Sequence, residues 1–411
     1  MSATKICIVG GGFGGLYTAL RLSEFPWEKE DKPEITLIDK SDRFLFSPLL
    51  YELITEEMQS WEVAPPFAEL LANTGVIFQQ GKVTGIDLEG KQVTLEDNRQ
   101  IDQRSQQAPS SYGGVICDYD KLVLSTGGRT PVDLVPGAKE YALPFRHLND
   151  AYRLQEKLRL LEESDRDKIR VAVVGGGYSG VELACKLADR LGEKGRIRII
   201  DRGTQMLSDS SEFNRETAIK ALEKSQIWQD LETEVETVTA DSITLVYKGQ
   251  TDTIPVDLVL WTVGNQVSEL INQLPLAQTD QGLLEIEPTL LVKGREDIFA
   301  LGDAANSCDL DGKTLPATAQ VAFQQSDYCA WNIWASATNR PLLSFRYQPL
   351  GEMMTLGTDN ATINGLGLKL DGPMAYVARR LIYLYRLPTL KHQLTVGFNW
   401  ITQPLVELLS S

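Results

Sequence analysis

The residues best placed to do chemistry come in two sets of glycines. Gly10, Gly12 and Gly15 stand in "KICIVGGGFGGLYTALRL", and Gly175, Gly177 and Gly180 stand in "RVAVVGGGYSGVELACKL", a second copy of the same pattern. In the spacing G-x-G-x-x-G the first glycine makes a tight turn. The second lets a pyrophosphate approach the backbone, and the third lets helix pack on strand with the helix N-terminus facing the phosphates. About 20 residues past each copy a strand-like run ends in an acid, Asp39 in "EITLIDK" and Asp201 in "RIRIIDR", where a carboxylate accepts ribose hydroxyls. One such spacing says little; two complete copies, each with its acid, predict two dinucleotide sites.

Other polar groups stand out by their neighbours. Glu182 occupies in the second copy the position that Tyr17 holds in the first, inside the apolar run "GVELAC". A carboxylate there is either in contact with a ligand or held by local hydrogen bonds. "AQVAFQQ" sets Gln320, Gln324 and Gln325 at helical spacing among apolar residues, as amides for a ligand or as ordinary surface glutamines of a good helix former. Arg202 follows Asp201, where it either pairs a 2′-phosphate or lies in solvent. The five cysteines lie far apart with no CxxC, so no local dithiol is available. With no targeting pattern at the N-terminus, they predict a reduced, cytoplasmic compartment.

These groups need strands and helices to hold them. "YDKLVLSTGGRTP" and "VDLVLWTVGNQ" both read as a buried strand closing on a Thr/Gly turn, which presents Thr126, Gly127 and Gly264. A third strand, "EDIFALGDAA", presents Asp303 where a helix-like pattern can follow. Strands alternating with helices predict an α/β protein with two Rossmann-like, doubly wound parallel sheets. "QIDQRSQQAPSSYGG", Gln100 to Gly114, reads as an inserted surface loop. The formal net charge of -16 over 411 residues excludes a nucleic-acid binder, which needs a basic footprint. No apolar run reaches the ~18 residues of a spanning helix.

Two Rossmann units with "STGG" and "FALGDAA" resemble the two-dinucleotide flavoprotein oxidoreductases. "DRFLFSPLLYEL", "GVELACKLADRL" and "LPATAQVAFQQSDYCAWNI" narrow the resemblance to the type II NAD(P)H:quinone oxidoreductases. "RFLFSPLLYELITEEMQSWEVAPPF" and "LGEMMTLGTDN" are most similar to their cyanobacterial and chloroplast branch, which includes a demethylphylloquinone reductase of vitamin K1 synthesis. The resemblance implies FAD in the first unit, against Gly10, Gly12, Phe13, Gly14, Gly15, Asp39, Thr126, Gly127 and Asp303. It implies NADH or NADPH in the second, against Gly175, Gly177, Gly180, Asp201, Arg202 and Gly264, with both nicotinamides used. No metal is required. It makes Gln320, with Gln324, the contact of a quinone headgroup and Glu182 a proton relay. Residues 1–140 and 269–350 then form the FAD-binding domain, 141–268 the NAD(P)H-binding domain and 351–411 a C-terminal membrane-association region. The expected reaction takes two electrons from NAD(P)H to a membrane prenylquinone, a naphthoquinone such as demethylphylloquinone or else plastoquinone, without proton pumping. The place is peripheral, on the cytoplasmic side of a thylakoid or plasma membrane, and a homodimer stays open. A soluble reductase of an iron-sulfur protein and a non-catalytic NAD(P)H sensor are the alternatives.

The tail carries the membrane expectation. From Pro373 to Ser411 the charged residues are Arg379, Arg380, Arg386, Lys391 and Glu407, opposite in sign to the body. On a helix, Val377, Ala378, Leu381, Ile382, Leu384 and Tyr385 of "YVARRLIYLYR" share one arc, and Arg379, Tyr383 and Arg386 take the other side. The pattern predicts an amphipathic helix lying in a membrane interface, with Phe398 and Trp400 helping further on, or else a helix docked on its own domain with its arginines in water.

Overall fold

The computed structural model describes residues 3–28, 30, 32–96, 114–309 and 312–410, with 403–410 described by backbone alone. All of the expected loop from Gln100 except Gly114 lies outside the described residues. The chain divides into two units, each assembled from three segments.

The first unit comprises Met1–Phe44, Pro65–Arg129 and Asn265–Gln348. Its five-stranded sheet runs in the order Ile298–Ala300, Lys121–Leu124, Lys5–Val9, Glu34–Asp39, Ile77–Gln80, with every pair parallel. Strands such as KICIV are apolar almost throughout because both faces of a parallel sheet are covered. Val9, Ile38, Leu122, Leu124, Ile298 and Ala300 belong to one core cluster. The helix Phe13–Glu24 follows the first glycine turn. It packs on the long helix Ala319–Ala337 through Tyr17 on Phe323, ring centroids 4.6 Å apart, and Phe25 on Trp334, 5.1 Å apart. The long helix is capped by Thr318, whose hydroxyl accepts from the Val321 N–H at 3.3 Å.

The second unit comprises Leu45–Ala64, Thr130–Gly264 and Pro349–Ser411. Its sheet, in the order Trp228–Asp230, Gly195–Ile200, Ile169–Val174, Leu258–Trp261, Ala142–Pro144, is again parallel throughout. Ala172, Val174, Ile200, Val259 and Trp261 share its core. The helix Tyr178–Leu191 follows the second glycine turn. Among the described residues, three antiparallel three-stranded meanders, one in the first unit and two in the second, add to the parallel sheets that the sequence pattern predicts.

The tail forms the helices Gly372–Arg386 and Leu390–Ser410. Most of the predicted apolar arc is bare: Val377, Leu381, Ile382 and Tyr385 are exposed, as are Leu390, Leu394, Phe398 and Ile401, while Ala378 and Leu384 are half-buried. Two expectations need correction. Arg379 is fully buried, because its charge is met by carboxylates inside the unit. Trp400 turns inward, its Nε1 donating to Glu62 Oε1 at 2.9 Å while Arg380 lies 4.2 Å over its ring.

Candidate functional site

Each glycine turn starts where the central strand of its sheet ends, Val9 in one unit and Val174 in the other, with paired strands on both sides. A ligand crevice opens at that point in doubly wound sheets. A Cβ on Gly15 would lie 1.8 Å from the Gly10 carbonyl oxygen, and one on Gly180 would lie 1.8 Å from that of Gly175. Only glycine permits those close passages. A Cβ on Gly12 or Gly177 meets nothing within 4 Å, so both middle glycines open on free space of the kind a pyrophosphate needs.

The acids hold both turns in the same way. Asp39 Oδ2 accepts from the Gly11 N–H at 2.6 Å and Oδ1 from the Ser41 N–H at 2.8 Å. In the second unit Asp201 Oδ2 accepts from the Gly176 N–H and Oδ1 from the Gly203 N–H, both at 2.6 Å. Each carboxylate oxygen keeps a lone pair for a ribose hydroxyl. Phe13 packs edge-on against Phe44 at 5.3 Å, and Gly14 sits under Leu301. Thr126 lies 3.2 Å from the Ser268 hydroxyl, and Gly127 turns the chain with φ +66°. Gly264 makes the matching turn of the second unit with φ +82°, and Arg202 is exposed beside Asp201. Both cradles fit a dinucleotide.

Asp303 lies at the end of the edge strand of the first sheet, in a single helical turn, Gly302–Ala304. The long helix begins only at Ala319, later than the strand-to-helix pattern around "GDAA" predicts. Asn265 Nδ2 donates to Asp303 Oδ2 at 3.0 Å. Both line a cavity of about 220 Å³ with Gly302, Ser307, Thr318 and Val321. That volume is below the ~300 Å³ at which pockets for whole drug-sized ligands begin, so it has room for a part of a dinucleotide and not for the whole.

The three glutamines separate. Gln320 Oε1 accepts from the Tyr347 hydroxyl at 2.8 Å. Gln324 is held at both ends by one residue, accepting from the Gln348 N–H at 3.0 Å and donating to its carbonyl at 2.8 Å. These two bonds brace the loop at Gln348 and use one N–H and one lone pair of the amide. Gln325 is fully buried and grips the Gly302 N–H and the Ser307 hydroxyl.

In the second unit Glu182 is buried on the helix that follows the glycine turn. Its Oε1 accepts from the Thr355 N–H at 2.9 Å and lies 3.5 Å from Arg379 Nη2. Arg379 also pairs with the buried Glu52 and donates to the Pro48 carbonyl at 2.8 Å. One turn along from Glu182, Lys186 pairs with Glu57, which also accepts from the Tyr376 hydroxyl at 2.7 Å. Burial pushes the Glu182 carboxyl up to about 7, against the downward pull of Arg379 and the Thr355 N–H. Glu52 moves the other way: burial raises it, but Arg379 and Lys186 outweigh that and hold it below the usual carboxylate range. Arg379 therefore serves two acids of which one, Glu52, keeps the charge.

Sequence reading missed Glu52, Glu57, Lys186 and Arg379. A weak signal was present in Lys186, placed i+4 from Glu182 within an apolar run. Tyr51 was missed as well; its hydroxyl donates to Ser179 Oγ, inside the second turn, at 2.9 Å.

Residues 4–326 match the family model of the pyridine nucleotide-disulphide oxidoreductases. The chain is 57% identical over 407 residues, 99% of its length, to the demethylphylloquinone reductase NdbB of Synechocystis, of which 98% is covered. It is 41% identical, over 99% of its length and 82% of that protein, to an alternative NAD(P)H-ubiquinone oxidoreductase C1 of Arabidopsis thaliana, chloroplastic and mitochondrial. Its fold is shared with NDH2 of Plasmodium falciparum in complex with NADH, at a TM-score of 0.84 and 19% identity over 98% of both chains. With two complete nucleotide cradles, a flavin-side acid and this kinship, the chain belongs to the pyridine nucleotide-disulphide oxidoreductases, and within them to the type II NAD(P)H:quinone oxidoreductases that use FAD and NAD(P)H.

Proposed function

We propose that this oxidoreductase reduces a prenylated naphthoquinone of the demethylphylloquinone type at a membrane surface, without pumping protons. The observation that carries the reading is the identity, along nearly the full length of both chains, to a demethylphylloquinone reductase. Bound FAD supplies the two-electron chemistry between NAD(P)H and the quinone.

The chain's own part is to hold, orient and protonate. Gly10, Gly12, Phe13, Gly14 and Gly15 would hold the FAD pyrophosphate, Asp39 its adenosine ribose and Asp303 its ribityl chain, with Thr126 and Gly127 alongside. The N-terminal end of the helix Ala319–Ala337 brings its positive pole to the same cavity, where it favours a negatively charged reduced ring. Gly175, Gly177, Gly180 and Gly264 would hold the nicotinamide dinucleotide, Asp201 its ribose and Arg202 a 2′-phosphate. A quinone offers only acceptors, and the Gln320 amide, which accepts from the Tyr347 hydroxyl, is assigned to its headgroup. Reduction to the quinol consumes two protons. Glu182, whose carboxyl burial pushes up to about 7, suits a proton donor. The bare apolar arc of the two tail helices is assigned to the lipid–water interface, where the chain lies on the bilayer.

The reading is tested by reducing the enzyme anaerobically with NADPH and mixing it separately with demethylated naphthoquinone, plastoquinone and ubiquinone analogues. The naphthoquinone is expected to reoxidise the flavin fastest; a faster reaction with ubiquinone overturns the substrate assignment.

A further inference from the structure

Gln325 is fully buried, and its amide is oriented by its partners. The Gly302 N–H can only donate, so Oε1 faces it, at 2.8 Å. The NH₂ group therefore faces Ser307 Oγ, at 2.6 Å, and a hydroxyl that accepts there has its own hydrogen to give elsewhere. Ser307 is itself buried and lines the cavity that holds Gly302, Asp303 and Asn265. A buried donor left idle is costly, and the cavity is where this one has room to find an acceptor.

We propose that Ser307 is a flavin-contacting residue, its hydroxyl donating into the cavity to an acceptor atom of bound FAD, and that Gln325 is its positioning residue. One amide fixes both the Gly302–Asp303 turn and the direction of the Ser307 hydroxyl. The proposal rests on the assignment of this cavity to FAD. A donor aimed at a flavin carbonyl or ring nitrogen stabilises the negative charge that reduction places on the ring, so it raises the flavin potential as well as the affinity.

The test uses the full-length holoenzyme and the variants Ser307→Ala, Ser307→Thr, Gln325→Leu and Ser307→Ala/Gln325→Leu. The readouts are the FAD dissociation constant from flavin fluorescence, the visible flavin spectrum and the midpoint potential by dye equilibration. Ser307→Ala is expected to weaken FAD on the order of tenfold, the worth of one buried hydrogen bond, to shift the flavin spectrum and to lower the potential. Ser307→Thr, which keeps the hydroxyl, should restore all three. Gln325→Leu should move the potential in the same direction, and the double variant no further than Ser307→Ala alone. Wild-type affinity, spectrum and potential in Ser307→Ala would overturn the contact, and that variant stands whether or not Gln325→Leu folds. Additive shifts in the double variant would overturn the positioning role. A wild-type protein that binds no FAD would instead remove the assignment of the cavity.

Discussion

At the scale of residues, Glu182 is the group whose environment most changes its chemistry. Its folded pKa, raised by burial to about 7 from the ordinary carboxyl value of 4.5, means that the fold favours the protonated form. The stability it contributes is complete below pH 4.5 and is lost as the pH rises through 7. The same titration limits the supply of protons. Quinone-dependent turnover is expected to fall with an inflection near pH 7, while oxidation of NAD(P)H by ferricyanide is unmoved. Glu182→Gln keeps an acceptor for the Thr355 N–H but carries no proton; it should lower quinone-dependent kcat by about 10²-fold and abolish the inflection. Unchanged quinone reduction in that variant removes Glu182 from the mechanism. Arg202 is exposed beside an Asp201 that is tied to two backbone N–H groups, and its proposed role at a 2′-phosphate is open to a direct test. Arg202→Ala should lower kcat/KM for NADPH about tenfold, the worth of a charge-assisted hydrogen bond, and leave NADH within about twofold. An unaffected NADPH rate would end that role.

At the scale of elements, the glycine turns were legible because their chemistry is local. A close passage of backbone over backbone excludes every side chain, and the exclusion shows as glycine in the sequence. The strands beside them were legible because a parallel sheet buries both faces. The meanders left no such signature, their strands being only partly apolar, as in QTDTIP. The tail helix Gly372–Arg386 was legible in its periodicity and misjudged in its polar side. Solvent and a buried carboxylate make the same demand on an arginine, and the helical wheel cannot tell them apart. The apolar side remains bare, with Leu381 58% and Phe398 70% exposed. Leu381→Asp/Phe398→Asp should therefore release the protein from anionic liposomes in a flotation assay, with ferricyanide reduction retained. Continued flotation with the lipid would return this face to some other use.

At the scale of the whole molecule, each nucleotide-binding unit is assembled from segments distant in sequence. Leu45–Ala64 and the tail both belong to the second unit, and charges tie them to the helix Tyr178–Leu191. Arg379→Met should cost roughly 3–5 kcal/mol, because it strands Glu52 as a buried unpaired carboxylate; urea melts would read the loss, and wild-type stability would contradict the pairing. Deleting Pro373 to Ser411 would strip the same partner, so point substitutions on the bare face test membrane attachment more cleanly than truncation does. The two nucleotide cradles, their acids and the kinship were already legible in the chain, because each is written within a few tens of residues as steric exclusion or apolar period. What each glutamine holds, and that Arg379 faces Glu52 across 327 positions, emerges only when the chain is folded. Complementary charges far apart in the chain carry no mark of their partner until the fold removes water from between them.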